Sequence, residues 1–241
     1  MKMIQKTYKF RLYPNKKQEK MLANYFGSVR FVYNHFLAKR KEQYEQTRKS
    51  SNYYEQAKEL TAMNKKVLIV SSSQRKHGNS DLLCDEFTRG AKDAGNEVEK
   101  VFLADKSINY CRGCGICNST HKCVQKDDMA ELNDKMVKAD VIALASPVYF
   151  YTVDAQLKTF IDRCVPRYTE MSDKDFYYIL TAADSDKSAF DKSIECIRGF
   201  TLDCLDGAKE KGIIRGAGVF EKGEIKDKSE YKECYNMGKN V

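Results

Sequence analysis

Short apolar runs alternate with helical periodicity along most of the chain. Lys66-Val67-Leu68-Ile69-Val70-Ser71 is continuous and apolar and ends in small polar residues, as a buried parallel strand does where it enters a loop. Similar runs occur at Val98–Leu103, Val141–Ala145, Phe176–Thr181 and Ala217–Glu221. Between them the spacing predicts helices over Ser80–Ala94, ended by Gly95, and over Asp128–Lys138, opened by Asp128-x-x-Glu131 at capping-box spacing. Two more are expected over Val153–Arg163 and over Ser188–Lys211, the latter ended by Gly212. Five strands alternating with helices predict an α/β fold built on a doubly wound, five-stranded parallel sheet.

The first 64 residues have a different pattern. Lys6–Tyr13 reads KTYKFRLY, an alternation suited to a half-buried strand, and Pro14-Asn15 breaks it. From Lys16 onward Leu22, Tyr25, Phe26, Val29, Val32, Tyr33, Phe36 and Leu37 fall at helical spacing. Gly27-Ser28 interrupts that register, which predicts one bent helix or two joined by a tight turn. Charge divides the chain in the same place. Residues 1–66 hold 16 Lys/Arg against 5 Asp/Glu and carry +11, while the rest carries −3, which together make the net +8. All nine cysteines lie at or beyond Cys84. The expected organisation is a basic strand-helix extension, residues 1–64, before an α/β domain, residues 65–241.

Composition removes several classes of protein. At 42% hydrophobic residues the chain can build a core, and no apolar run approaches membrane-spanning length. The basic N-terminus lacks the apolar stretch of a signal peptide, so a cytoplasmic protein with no membrane partner is expected. In that compartment clustered thiols point to metal or redox chemistry rather than to disulfides.

In an open α/β sheet, ligands bind at the carboxyl ends of the strands. The loop after the first strand, Ser71-Ser72-Ser73-Gln74-Arg75-Lys76-His77-Gly78-Asn79-Ser80, offers hydroxyls, cations, a glycine and a helix amino terminus. Those are the parts of a phosphate cradle, although an ordinary polar loop would read the same. Neither the Walker spacing nor the dinucleotide Gly-x-Gly-x-x-Gly is present. After the third strand comes Ser146-Pro147-Val148-Tyr149-Phe150-Tyr151, a surface for a planar ring or else an aromatic cluster closed under its own helix. Cys111-x2-Cys114-x2-Cys117-x5-Cys123 lies in the loop after the second strand. Four thiolates this close could hold an iron–sulfur cluster or zinc, or remain free thiols. His35, His77 and His121 show no metal spacing, and no acid, base or nucleophile constellation stands out.

Four segments in order, SSSQRKHGNS, CRGCGICNSTHKCVQKDDM, ASPVYFYTVDAQLKTFIDR and IIRGAGVFEKGEI followed by YNMGKNV, resemble the flavodoxin-like NAD(P)H-dependent FMN reductase family and its iron–sulfur flavoprotein branch. The resemblance covers residues 66–241. It implies bound FMN, with Ser73, Arg75, Asn79 and Ser80 at the phosphate, Pro147, Val148, Tyr149 and Phe150 along the isoalloxazine, and Thr181, Ala182 and Ala183 closing the pocket. Ser72 and Gln74 stand where the family has Gly and Pro, and Ala183 where it often has Gly. The branch implies Cys111, Cys114, Cys117 and Cys123 as ligands of a 4Fe-4S cluster. The implied activity is an oxidoreductase that passes electrons from NADH or NADPH through FMN to a second acceptor. No protein catalytic residue is expected, because the chemistry belongs to the flavin. A homodimer is the family expectation. The iron–sulfur form implies electron transfer between cluster and flavin.

Residues 1–62 resemble another family. KTYKFRLYPNKKQEK and GSVRFVYNHFLAKRKEQY are similar to the N-terminal region of transposon-encoded OrfB/TnpB proteins, and the chain has no segment resembling that family's nuclease triad. The arm reads as a transposon-derived remnant, with nucleic-acid binding through residues 1–64 as the rival reading.

Overall fold

The computed structural model describes residues 30, 33, 34, 36–48 and 65–241. The chain forms two compact units, Met1–Ala62 and Met63–Val241. In the first, residues 36–47 are helical, and Arg48, at φ 57°, follows them. The strand expected at Lys6–Tyr13 and the interruption at Gly27-Ser28 lie outside the described residues.

The second unit is a doubly wound sheet. Its strands are β1 (Lys66–Ser71), β2 (Glu97–Phe102), β3 (Val141–Tyr149), β4 (Thr152–Val153), β5 (Asp175–Thr181) and β6 (Lys209–Gly216). The parallel order is β2-β1-β3-β5-β6, and the short β4 folds back antiparallel on β3. Between them run α1 (Asn79–Asp93), α2 (Met129–Lys138), α3 (Ala155–Asp162) and α4 (Asp191–Cys204), and α5 (Ser229–Lys239) closes the chain. Alternation along each buried strand divides the core. Leu68 and Val70 of β1 join the layer containing α2, α3 and α4, whereas Val67 and Ile69 join the layer with α1 and α5.

Three expectations need correcting. The fifth parallel strand is Lys209–Gly216 rather than Ala217–Glu221, and the fourth helix ends at Cys204. This strand is an edge, so its sequence KEKGIIRG keeps the charges an edge exposes and hides the apolar signal. The run after it turns at Gly218, φ +64°, and serves the ligand end of the sheet. At α2 no capping box forms, because the Asp128 carboxylate accepts from the Ser107 N–H at 2.7 Å instead of capping the helix, and the Asp127 carboxylate takes the Met129 N–H at 3.2 Å.

Helix α3 is capped by Asp154, whose Oδ1 accepts from the Leu157 N–H at 3.0 Å while its buried Oδ2 has no partner. Burial raises this carboxyl above its ordinary 3.8, against the Leu157 N–H and the nearby Ser72 and Ser146 hydroxyls, which lower it. The folded chain therefore holds the proton more tightly than the unfolded chain, and stability falls as pH rises through the window above that ordinary value. Asparagine would keep the cap oxygen and cannot ionise. Asp154→Asn is expected to gain on the wild type as pH rises above about 4 in denaturant titrations. A gap between the two that does not change with pH would contradict this.

Candidate functional site

The carboxyl ends of β1, β3 and β5 open into one cleft. Ten of the eleven residues expected from the sequence line it: Ser73, Arg75, Asn79, Ser80, Pro147, Val148, Tyr149, Thr181, Ala182 and Ala183. Phe150 does not; it is fully exposed at the tip of the β3–β4 hairpin. Phe150 and Tyr151 form that two-residue turn at φ 51° and 62°, where glycine or asparagine normally sits, so the backbone is strained beside the cleft. Gly78, the glycine of the first loop, lines it as well, and Val219, Phe220 and Lys222, which no local sequence pattern assigns, complete the lining.

The loop at the head of α1 is held from below. Asp81, buried, accepts from the Ser71 hydroxyl and from the His77 N–H at 2.8 Å, and its Oδ1 lies 2.6 Å from the Lys100 ammonium. Lys100 also reaches Asp85 at 2.6 Å. The carboxylates of Asp81 and Asp85 converge with His77 on a point, but Lys100 already supplies the cation there. Above this staple the Ser73 hydroxyl accepts from the Arg75 N–H at 3.2 Å, and the Gly78 N–H bonds Arg75 O at 2.9 Å. A Cβ on Gly78 would sit 2.9 Å from Arg75 O and 3.4 Å from Ser73 Oγ. A side chain at residue 78 would therefore force this loop to shift. No side chain caps the amino end of α1, which leaves first-turn N–H groups directed toward the loop.

The two substitutions relative to the family pattern keep this geometry. Ser72 is buried, and both its N–H and its hydroxyl bond Ala145 O, which ties β1 to β3. Gln74 returns its side-chain amide to Ser72 O. Ser80 and Thr181 share a hydroxyl–hydroxyl bond of 2.6 Å that joins the first and third loops. The Asn79 amide anchors the far wall: its Nδ2 donates to Glu221 O, and its Oδ1 accepts from the Gly223 and Ile225 N–H groups.

A second cavity, of about 170 Å³, is lined by Cys111, Cys114, Cys117 and Cys123 together with Arg112, Gly115, Val124, Gln125, Asp162, Arg163, Val165 and Pro166. Gly113 and Gly115 take φ +64° and +73°, turning the chain so that the thiols face one space. Burial raises the Cys117 thiol, and the charges of Cys123, Cys114 and Cys111 raise it further. The base of this loop is clasped by a buried ion pair between residues that no local pattern links. Arg163, the residue closing α3, reaches Asp127 with Nη1 at 2.7 Å and Nη2 at 2.9 Å, and donates to Asn109 O. Asp127 also accepts from the Asn109 N–H at 3.1 Å. Burial opposes charge on the Asp127 carboxyl, but Arg163 and the N–H groups of Asn109 and Met129 hold it below its ordinary value. Burial likewise opposes charge on Arg163, and Asp127 with the Cys123 thiol holds it above.

Residues 65–190, just over half the chain, match the family model for NADPH-dependent FMN reductase. The chain belongs to that family. Residues 1–49 match a helix-turn-helix domain model of OrfB type. The chain is 46% identical over 101 residues to an iron–sulfur flavoprotein of Archaeoglobus fulgidus, covering 42% of this chain and 46% of that one. It is 46% identical over 101 residues to one of Methanocaldococcus jannaschii, covering 42% and 52%. The chain therefore spans about half the length of these curated relatives. Among solved structures, an FMN-dependent NADH-azoreductase of Bacillus anthracis in complex with FMN aligns with TM-score 0.57 at 16% identity, over 73% of this chain and 98% of that one, a likeness of fold. No helix among the described residues is long and apolar enough to cross a membrane.

Both sites fit the groups this family would bring. The Gly78 concavity, the uncapped α1 terminus and Arg75 suit a phosphate, and Pro147, Val148 and Ala182 offer apolar surface to a flat ring. Zinc would bond sulfur at about 2.3 Å and draw four thiolates to roughly 3.8 Å from one another. Among the described residues, the ligand atoms found within 4.8 Å of one another are those of His77, Asp81 and Asp85, not those of the cysteines. Four thiols ringing a cavity suit a multi-iron cluster better than a single ion.

Proposed function

We propose that the chain is an FMN-dependent NAD(P)H oxidoreductase of the iron–sulfur flavoprotein kind, passing electrons to a second acceptor. The observation that carries this reading is the convergence of three separate loops on one cleft with a phosphate cradle at one end and apolar walls at the other. Bound FMN supplies the redox chemistry, accepting a hydride from a nicotinamide and releasing electrons onward. The chain's part is to bind and orient. Ser73, Arg75, Ser80 and the N–H group at Asn79 hold the phosphate. Pro147, Val148 and Tyr149 line one side of the ring, and Thr181, Ala182 and Ala183 the other. Asn79 contributes through the 220–225 wall, which carries Phe220 and Lys222 to the cleft. Cys111, Cys114, Cys117 and Cys123 hold the 4Fe-4S cluster.

A cytoplasmic homodimer belongs to the same reading, supported by the exposed row Tyr149, Phe150 and Tyr151 at the cleft mouth. The basic arm is assigned no part in the chemistry. The test is anaerobic addition of NADPH or NADH to the FMN-loaded chain. Stoichiometric bleaching of the flavin band, reversed by a quinone, is expected. A flavin that dithionite bleaches but neither nicotinamide does would overturn the reductase reading.

A further inference from the structure

The Arg163 guanidinium has five N–H donors and the structure accounts for only part of them. Nη1 and Nη2 are taken by Asp127 and Asn109 O, while Nε is buried and finds no hydrogen-bond partner. An unpaired donor this deep is costly, since the side chain is 1% exposed. Arg163 lines the cavity of the four cysteines, and Cys123 is the sulfur near enough to act on its charge. Its position is fixed from several sides. Its N–H bonds Thr159 O and Phe160 O at the end of α3, and its carbonyl accepts from the Asn133 Nδ2 at 3.1 Å. Two contacts to Asp127 then fix the plane of the guanidinium.

We propose that Arg163 is a positioning residue of the cysteine site, whose Nε–H donates to the Cys123 sulfur once that sulfur is a cluster ligand. The inference rests on the reading of the four cysteines as a cluster site. A thiolate ligand is a better acceptor than a thiol, so the contact between Arg163 and the Cys123 sulfur strengthens on metallation. The ion pair to Asp127 leaves the guanidinium in place beside the sulfur but offsets its charge. The hydrogen bond is therefore the local term that stabilises the more negative, reduced cluster. Loss of the Nε–H should lower the cluster potential even where the cluster still assembles. Lysine at this position keeps a cation for Asp127 and removes the planar fork.

The experiment compares wild type, Arg163→Lys and, as a control outside the cavity, Arg198→Lys, each reconstituted anaerobically with iron and sulfide and titrated by electron paramagnetic resonance. The expected result is wild-type iron content in the wild type and the control, and a shift to lower midpoint potential in Arg163→Lys alone. A loaded Arg163→Lys cluster with the wild-type potential overturns the inference. Should that variant fail to fold, wild-type protein labelled with 15N at arginine Nε decides. A hyperfine coupling from an arginine Nε to the reduced cluster, retained in Arg112→Lys, supports the bond, and its absence overturns it. Wild-type protein that takes up neither iron nor sulfide overturns the cluster reading itself, a different failure that the iron assay identifies.

Discussion

Alanine at Gly238 or Gly90 is expected to destabilise the second unit by about 3 kcal/mol or more, although alanine is the better helix former. Helices α1 and α5 meet there backbone to backbone. A Cβ on Gly238 would lie 2.2 Å from Phe87 O, and one on Gly90 would lie 2.1 Å from Tyr235 O. Neither carbonyl can rotate away, because both belong to helices packed on the sheet. The helices must separate, and the seal that α5 makes over Cys84, Phe87 and Cys234 opens with them. Gly199 in α4 provides the internal contrast. Nothing lies within 4 Å of its Cβ position, so Gly199→Ala should gain roughly 0.5–1 kcal/mol. Opposite signs for the same exchange, read by thermal and denaturant unfolding, are the expected outcome. A Gly238→Ala variant as stable as the wild type would contradict the close crossing.

Serine at any one of Cys111, Cys114, Cys117 or Cys123 is expected to reduce bound iron and acid-labile sulfide to background while FMN content stays at the wild-type level. The separation follows from the geometry, since the cleft and the cysteine cavity share no lining residue. The cysteine loop is also built for turning rather than for packing. Around the Cβ positions of Gly113 and Gly115 the nearest atom is Asn118 Nδ2 at 3.9 Å, so these glycines are there for their positive φ. A cluster needs its four soft ligands together, and a hydroxyl is a poor substitute for a thiolate. Iron retained in all four variants would contradict the assignment, as would loss of FMN together with iron.

The sequence was most legible where one physical signal dominated. The interior strands β1, β3 and β5 are buried on both faces, so their apolar runs mark them directly, and the ligand loops follow at their ends. Gly95, at φ 90°, ends α1 where the pattern placed the stop. Legibility failed where one face is exposed or where tertiary bonds decide. Edge strand β6 hides in charged residues, and α5 in SEYKECYNMGK, where only Cys234 and Gly238 are buried. The Asp128 cap gave way to a bond with Ser107, 21 residues away. The Arg163–Asp127 clasp joins residues 36 apart with no local pattern, and Phe220 and Lys222 reach the cleft only because Asn79 holds their loop. The resemblance pointed to the segment containing them, but no local spacing assigned them a place.

In the proposed reading the cleft at the ends of β1, β3 and β5 holds FMN, and its first loop has no room for a side chain at residue 78. The most direct test is equilibrium titration of FMN, followed by quenching of its fluorescence, against wild-type chain freed of flavin and against Gly78→Val. One FMN bound per wild-type chain, with affinity lowered at least tenfold in a folded Gly78→Val, is the predicted result; such a loss corresponds to about 1.4 kcal/mol. A folded wild-type chain that leaves FMN fluorescence unchanged, or a Gly78→Val variant that binds as tightly as wild type, would contradict it.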